Sequence, residues 1–102
     1  MKHKGKVYIS LPISGRPIEE AKAEAEAART KLSNLGYDVI TPFDVVAEPQ
    51  GNTEKEKYAY CMGRDIEELL KCDAIYLVDG HEESRGCELE FMAAVIYGLK
   101  IL

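Results

Sequence analysis

The chain has 102 residues, 46% of them hydrophobic, and a formal net charge of −5 at pH 7. This length supports one hydrophobic core, so we expect a single domain over residues 1–102. The basic residues are dispersed, which argues against a polynucleotide partner because phosphate backbones are bound by clustered Lys and Arg. No apolar stretch is long enough for a signal peptide or a membrane span, so we expect a cytoplasmic protein without a membrane partner.

The cysteines point to the same compartment. Cys61, Cys72 and Cys87 are an odd number and include no C-x-x-C pair. Neither a disulfide framework nor a zinc site is therefore expected, and a reducing cytoplasm fits this pattern.

The first half of the chain predicts a strand, a helix and a second strand. Residues 6–11, KVYISL, are rich in β-forming residues, and the turn-forming PISGRP follows. Over residues 18–35 apolar positions recur every three or four residues, which predicts an amphipathic helix with Pro17 at its start and Gly36 at its end. The segment YDVIT, residues 37–41, predicts the second strand.

The second half continues the alternation. Residues 42–57 contain Pro, Gly and Asn and become polar, so we expect a long loop that covers another part of the molecule. A helix is predicted over residues 58–71, and the apolar AIYLV, residues 74–78, is typical of a strand covered on both faces. A third helix is predicted over residues 86–97, and LKIL, residues 99–102, begins a last strand.

Strands that alternate with helices predict a three-layer α/β/α fold with a parallel, flavodoxin-like or Rossmann-like sheet of four to five strands. In such folds, ligands bind outside the carboxyl ends of the strands. The candidate site segments are therefore residues 12–16, 41–57 and 79–86. This inference comes from the fold alone and names no chemistry.

Glu90 is the acidic residue that a solvated loop explains least well. It shares a helix face with small and apolar residues such as Gly86, Cys87 and Ala94, a surface suited to packing on the sheet. A buried carboxylate is costly unless it is paired or hydrogen-bonded, so this position is a candidate site. The alternative is a solvated Glu90 that merely interacts favourably with the helix dipole.

Asp65, in the segment GRDIEELLKCDAIYLV, is the second candidate carboxylate. Its simplest alternative role is an ion pair with Arg64 or Lys71. Two carboxylates that meet at a strand-end cleft suit glycosidic chemistry, in which one attacks the anomeric carbon. The other positions the sugar or protonates the leaving group.

These segments resemble the nucleoside 2-deoxyribosyltransferases and the related 2′-deoxynucleoside 5′-phosphate N-hydrolases. Residues 84–101, SRGCELEFMAAVIYGLKI, are similar to the family pattern of Ser, Gly, a Glu four residues later, and a second Gly with a Lys close behind. The resemblance implies that Glu90 is the nucleophile, that Asp65 contacts the sugar, and that Tyr8 in the opening strand hydrogen-bonds the nucleophile.

The resemblance also implies a reaction. Glu90 attacks C1′ of a 2-deoxyribosyl group and displaces the base, and water or a second base resolves the glycosyl ester. No metal or redox cofactor is required, and the partner is a small nucleoside or nucleotide.

The turns after the first and third strands supply the predicted substrate-binding residues. Hydroxyls, amides and guanidinium groups at a helix N-terminus favour a 5′-phosphate, and hence a nucleotide over a nucleoside. Solvated charge is an equally open explanation for the two arginines. The predicted substrate-binding residues are Ser14, Gly15, Arg16, Ser84, Arg85 and Gly86.

The third helix is apolar nearly all round, which requires cover on the side away from the sheet. We therefore expect a homodimer or a higher even oligomer that buries Phe91, Met92 and Val95. Two other functions stay open: a non-catalytic nucleotide-binding or sensor module, and a structural domain that uses this helix only for assembly.

Overall fold

The protein is built around a parallel sheet of four strands. They are β1 (Lys6–Ser10), β2 (Asp38–Ile40), β3 (Ala74–Leu77) and β4 (Lys100–Ile101), in the order β2-β1-β3-β4. The computed structural model describes residues 4–102, and residues 1–3 of the predicted domain lie outside the described residues. All three strand pairings are parallel, which confirms the predicted sheet.

Helices connect the strands and lie on both faces of the sheet. They are α1 (Ile18–Asn34), α2 (Pro42–Val45), α3 (Glu54–Leu70) and α4 (Arg85–Ile96), with a single 3₁₀ turn at His81–Glu83. This arrangement is the predicted three-layer, flavodoxin-like fold. Among the helices of residues 4–102, none has the length and apolar character needed to cross a membrane.

One core lies between α1 and the sheet. Val7 and Ile9 of β1 are fully buried there, and Val39 of β2 is largely buried beside them. The buried face of α1 is mostly alanine at spacings of three and four, so the helix approaches the sheet closely. Its buried residues are Ala21, Ala25, Ala28 and Leu32.

The second core lies between the opposite sheet face and the pair α3 and α4. Tyr8 of β1 and Ile75 of β3 pack there against Leu69 of α3 and Ala94 of α4. Because successive side chains of a strand point to opposite faces, Tyr8 and Ser10 share this side of the sheet. The alternation of side chains along β1 therefore places Tyr8 and Ser10 on the face of the sheet that packs against α4.

The predicted long loop over residues 42–57 is wrong at both ends. Helix α2 occupies Pro42–Val45, where the Asp44 carboxylate accepts a hydrogen bond from the Thr41 amide at 2.9 Å. Helix α3 begins at Glu54, four residues earlier than predicted, because Thr53 caps it and accepts a hydrogen bond from the Glu56 amide at 3.1 Å. Both starts have a Thr followed three residues later by an acidic residue, a helix-start pattern that the Pro and Gly residues obscured.

Candidate functional site

The candidate site forms where the carboxyl ends of β1 and β3 lie side by side. These strands pair from Val7 with Ala74 to Ser10 with Leu77, so the segments that follow them start at the same edge of the sheet. Helix α4 begins at Arg85, after the 3₁₀ turn that follows β3, and its Glu90 side chain reaches Tyr8 and Ser10 near the end of β1. The segment from α2 to the first half of α3 lies opposite, and a cavity of about 500 Å³ separates the two sides.

Glu90 lies at the inner wall of this cavity and is 4% exposed. Its Oε2 accepts a hydrogen bond from the Tyr8 hydroxyl at 2.6 Å, and its Oε1 accepts one from the Ser10 hydroxyl at 2.6 Å. The cap of α4 sets this register, because the Ser84 hydroxyl accepts a hydrogen bond from the Cys87 amide at 3.2 Å. The alternative of a solvated Glu90 is therefore wrong.

The environment of Glu90 contains opposing electrostatic effects. Burial raises the pKa of the Glu90 carboxyl, whereas the hydrogen bonds from Ser10 and Tyr8 lower it. Burial and the neighbouring Glu90 carboxylate together raise the pKa of Tyr8 well above its usual value, so its phenol remains a donor. Each oxygen of the Glu90 carboxyl group thus accepts a hydrogen bond from a neutral hydroxyl.

Asp65 is the second buried carboxyl group of the cavity and is 7% exposed. Burial, and then the Glu90 carboxylate, raise the pKa of Asp65 to about 7. Within residues 4–102, its Oδ1 is the one buried side-chain oxygen or nitrogen that has no hydrogen-bond partner. A buried carboxyl oxygen without a hydrogen-bond partner is costly, which makes Asp65 a candidate to bind a polar ligand group.

The simpler role considered for Asp65 does not occur in this structure. Arg64 forms its ion pairs with Glu67 and Glu68, and Lys71 does the same on the outer side of α3. Asp65 faces inward, away from these residues, because α3 buries Asp65 and Leu69 on one stripe. The two carboxylates Asp65 and Glu90 therefore share one cavity, and the Tyr8 hydroxyl bonds to Glu90.

The rest of the cavity is largely apolar. The segment that was predicted to be a covering loop contributes Pro42, Phe43 and neighbouring residues up to Pro49. Tyr58 and Met62 of α3 lie close to α4 at Gly86, where a Cβ atom would be 3.4 Å from the Met62 sulfur. A flat apolar group bound here would be covered on one side by α2 and α3 and would face carboxylates on the other.

The other predicted binding residues lie beside this cavity but differ in their surroundings. Ser14, Ser84 and Gly86 line both this cavity and a neighbouring one of about 820 Å³, which Arg16 and Arg85 also line. Gly15 lines neither cavity, and its φ of +77° shows that it forms the turn. The structure thus brings all the predicted binding residues except Gly15 to this end of the sheet.

Arg16 already has intramolecular partners. Its guanidinium donates to the Pro12 carbonyl at 2.8 Å, to Glu20 at 3.0 Å and to Glu24 at 2.6 Å. Arg85 is exposed and projects from the first residue of α4. Of the two arginines predicted to bind substrate, Arg16 is thus ion-paired within the chain.

Ser10 is a site residue that the sequence interpretation missed. It is fully buried, and its hydroxyl bonds to Glu90 as directly as the hydroxyl of Tyr8 does. The signal was present, because Ser10 follows Tyr8 by two positions in a strand and so must point to the same face.

Comparison with protein families assigns the chain to a family. The model of a family described as a domain of unknown function, DUF4406, matches residues 5–102. The chain belongs to this family. No curated protein sequence matches the chain significantly.

Among solved structures, the chain is similar to a 2-deoxyribosyltransferase from the psychrotolerant bacterium Bacillus psychrosaccharolyticus. The TM-score is 0.69 with 21% sequence identity, and the match covers 94% of this chain and 69% of that one. At this identity the likeness establishes a shared fold.

Proposed function

We propose that this member of the DUF4406 family cleaves or transfers the N-glycosidic bond of 2′-deoxynucleosides or their 5′-monophosphates through a glutamyl-deoxyribosyl ester. One observation carries the proposal. The Glu90 carboxylate is buried with a hydroxyl donor on each oxygen, and it shares its cavity with the Asp65 carboxyl, whose Oδ1 has no hydrogen-bond partner. The enzyme with the same fold acts as a 2-deoxyribosyltransferase, which agrees with this chemistry.

In the first step, a Glu90 oxygen forms a bond to C1′ of the sugar while the bond from C1′ to the base nitrogen breaks. The electron pair of that bond leaves with the base, and the transition state has oxocarbenium character. Tyr8 and Ser10 hold the attacking carboxylate in place through hydrogen bonds that do not require ionised donors. The product is a covalent ester between Glu90 and the deoxyribosyl group.

Asp65 is suited to exchange a proton or a hydrogen bond with the substrate. Because its pKa is about 7, a substantial fraction carries a proton near neutral pH. In that form it donates to a sugar hydroxyl or to the departing base, and its Oδ1 gains the partner that it lacks. In the second step, water or another base attacks C1′ and releases Glu90.

The apolar part of the cavity is suited to hold the base. Phe43, Tyr58 and Met62 present aromatic and thioether surfaces, and the volume of about 500 Å³ is in the range of small-molecule sites. The sugar then lies between the base and the two carboxylates. This orientation directs the 5′ end of the substrate toward Ser14 and Ser84, where the two cavities meet.

The charge at the 5′ end favours a nucleoside over a nucleotide. The neighbouring cavity is lined by two arginines but also by four acidic residues, Glu20, Glu24, Asp79 and Glu83. Because Glu20 and Glu24 bind Arg16, a phosphate there meets net negative charge. We therefore propose the unphosphorylated nucleoside as the preferred substrate, the reverse of the sequence-based expectation.

The outer face of α4 supports the proposal of a homodimer or higher homo-oligomer. Four of its large apolar side chains are about half exposed or more: Leu89, Met92, Val95 and Ile96. Phe91, which was also expected in the interface, is already partly buried within the chain. A contiguous apolar face of this kind is typical of a surface that a second copy covers.

Base release is the test of the proposed function. The protein is incubated with each common 2′-deoxynucleoside and its 5′-monophosphate, with and without a second free base, and products are separated chromatographically. Free base without an acceptor shows hydrolysis, and a new nucleoside shows transfer. A protein that binds these compounds but releases no base is a binding module, and one that does neither contradicts the proposal.

A further inference from the structure

Ser10 occupies an unusual place for a serine at the end of a central strand. It is the last residue of β1 and has no exposed surface, so its hydroxyl requires a partner inside the protein. That partner is Oε1 of Glu90, at 2.6 Å. An alanine in this position would pack without a polar group, so the hydroxyl serves the carboxylate and not the packing of the core.

The hydroxyls of the two β1 residues donate to different oxygens of the Glu90 carboxylate. Tyr8 donates to Oε2 and Ser10 donates to Oε1. The terminal torsion of a glutamate is soft, so one donor alone leaves the plane of the carboxylate free to turn. Two donors from one strand, each on its own oxygen, fix that plane relative to the sheet.

The charge on Glu90 also depends on these donors. Burial raises the pKa of Glu90, and the Ser10 hydroxyl is the larger of the two hydrogen-bonding influences that lower it. Within residues 4–102, both hydrogen-bond partners of Glu90 are neutral hydroxyls. The titratable groups that face it are Tyr8 from β1, Asp65 from α3 and Cys87 from α4, and the charged residues of the wider cavity are Lys22, Glu54 and Lys57.

We propose that Ser10 is a positioning residue of the reaction, which holds Oε1 of Glu90 so that the ionised carboxylate meets C1′ in one fixed orientation. This inference rests on the proposed function. Ser10 itself does not touch the substrate, because it is fully buried, lines neither cavity and reaches the site only through its hydrogen bond to Glu90. We therefore expect Ser10 to affect kcat and the protonation of Glu90.

Three substitutions at Ser10 distinguish the effect of the hydroxyl donor from the effect of side-chain volume. Ser10→Ala removes the donor, Ser10→Cys keeps a similar volume with a weaker donor, and Ser10→Thr keeps the hydroxyl and adds a methyl group. We expect Ser10→Ala to lower kcat by about tenfold to a hundredfold with little change in KM, the range for a hydrogen bond to a charged group. Ser10→Cys should resemble Ser10→Ala, whereas Ser10→Thr should recover much of kcat.

The pH profile gives a second readout that a purely structural role does not change. Without the Ser10 donor the ionised form of Glu90 is less stable, so the ascending limb of kcat against pH should move to higher pH. Ser33→Ala, on the exposed side of α1, is the matched control and should leave the profile unchanged. Thermal unfolding of every variant shows whether the fold is retained.

A direct titration separates this inference from the proposed function. NMR of protein with isotopically labelled glutamate side chains follows the protonation of Glu90, with the signal assigned by Glu90→Gln. We expect the Glu90 titration to move to higher pH in Ser10→Ala. If wild-type protein is active and neither this titration nor the pH profile moves, the inference is overturned alone. If wild-type protein releases no base, the proposed function fails and the catalytic role of Ser10 fails with it.

Discussion

The two faces of β1 are adjacent in sequence and opposite in chemistry. Val7 and Ile9 point to α1 and are surrounded by alanines and aliphatic side chains. Tyr8 and Ser10 point to α4 and hydrogen-bond a buried carboxylate. One face stabilises the fold through burial of apolar area, whereas the other incurs the cost of buried polar groups to hold Glu90 in place. The difference indicates where stability and activity can be altered separately.

The largest expected effect comes from removing the carboxylate itself. Glu90→Ala should reduce base release by at least about a thousandfold, because loss of the attacking group removes the covalent route. Glu88→Ala, an exposed residue two positions earlier on α4, is the control and should stay substantially active. The measurement is the initial rate of base release in proteins with matching unfolding curves. Comparable rates for wild type and Glu90→Ala would refute the assignment.

The site face should also make stability depend on pH. Because the Asp65 pKa is raised from 3.8 to about 7, the folded protein retains a proton that the unfolded chain loses. Its contribution to stability is full below about pH 4 and is lost as the pH rises through about 7, up to about 4 kcal/mol in total. Denaturant unfolding across this range should show wild type losing stability with rising pH.

Asp65→Asn provides the matched comparison, because it keeps the shape of the side chain and has no proton to lose. The fall in stability between about pH 4 and pH 7 should be smaller in this variant than in wild type. Glu90, whose pKa is also raised, leaves a residual dependence of the same sign. Parallel curves for the two proteins would contradict the role given to Asp65.

A pair of substitutions tests the two faces of β1 directly. Ile9→Ala should lower the free energy of unfolding by about 2–5 kcal/mol, as for other buried aliphatic truncations, while kcat of the remaining folded protein changes little. Tyr8→Phe keeps the ring and removes only the hydroxyl, so it should lower kcat by about tenfold or more with a stability change of about 1 kcal/mol. Unfolding curves and initial rates measure both quantities. If Ile9→Ala impaired kcat as much as Tyr8→Phe, the separation of the faces would be wrong.

The fold could be predicted because each element shows its periodicity locally. The apolar stripe of α1 and the glycines after α1 and α4 predicted the helices and their ends. The continuous apolar run of β3 predicted a strand that is covered on both faces, as in a parallel sheet. Thr53 and the segment from Thr41 to Asp44 were misinterpreted, since nearby Pro and Gly residues outweighed the helix-start pattern. The missed boundaries lie in the segment that covers the cavity.

The candidate site was predicted only in part, and the correct part came from the family resemblance and not from local periodicity. The resemblance indicated Glu90, Asp65 and Tyr8, but whether Glu90 is buried depends on which side of a nearly uniformly apolar helix meets the sheet. The partners of Arg16 were partly visible, because Glu20 lies only four residues further along the chain, in the first turn of α1. The net charge of the neighbouring cavity could not be predicted, since Asp79 and Glu83 come from a segment that is distant from Arg16 in the sequence.

Helix α4, like β1, has two faces with different roles: its inner face carries Glu90, and its outer face is apolar and exposed. Met92 and Val95 are each close to half exposed and lie away from the site. Replacement of both by glutamate should shift the protein toward monomer in sedimentation at micromolar concentration, because like charges would face each other across a two-fold interface. Glu88→Gln is the control for a simple change of charge on α4. A wild-type protein that sediments as a monomer would contradict the assembly.

The smallest expected effect concerns the 5′ end of the substrate. The nucleoside should have a higher kcat/KM than its 5′-monophosphate, by about tenfold or less, since exposed charges are screened by water and salt. Glu24→Gln should narrow the difference, because it weakens the hold on Arg16 and removes one negative charge from the cavity. Glu19→Gln, an exposed neighbour that lines neither cavity, removes the same charge elsewhere and should leave the ratio near that of wild type. Measurements at low and at high salt should show the difference shrinking as salt increases. A wild-type preference for the monophosphate would instead mean that Arg85 and the start of α4 outweigh the four acidic residues, and the original expectation of a nucleotide substrate would then stand.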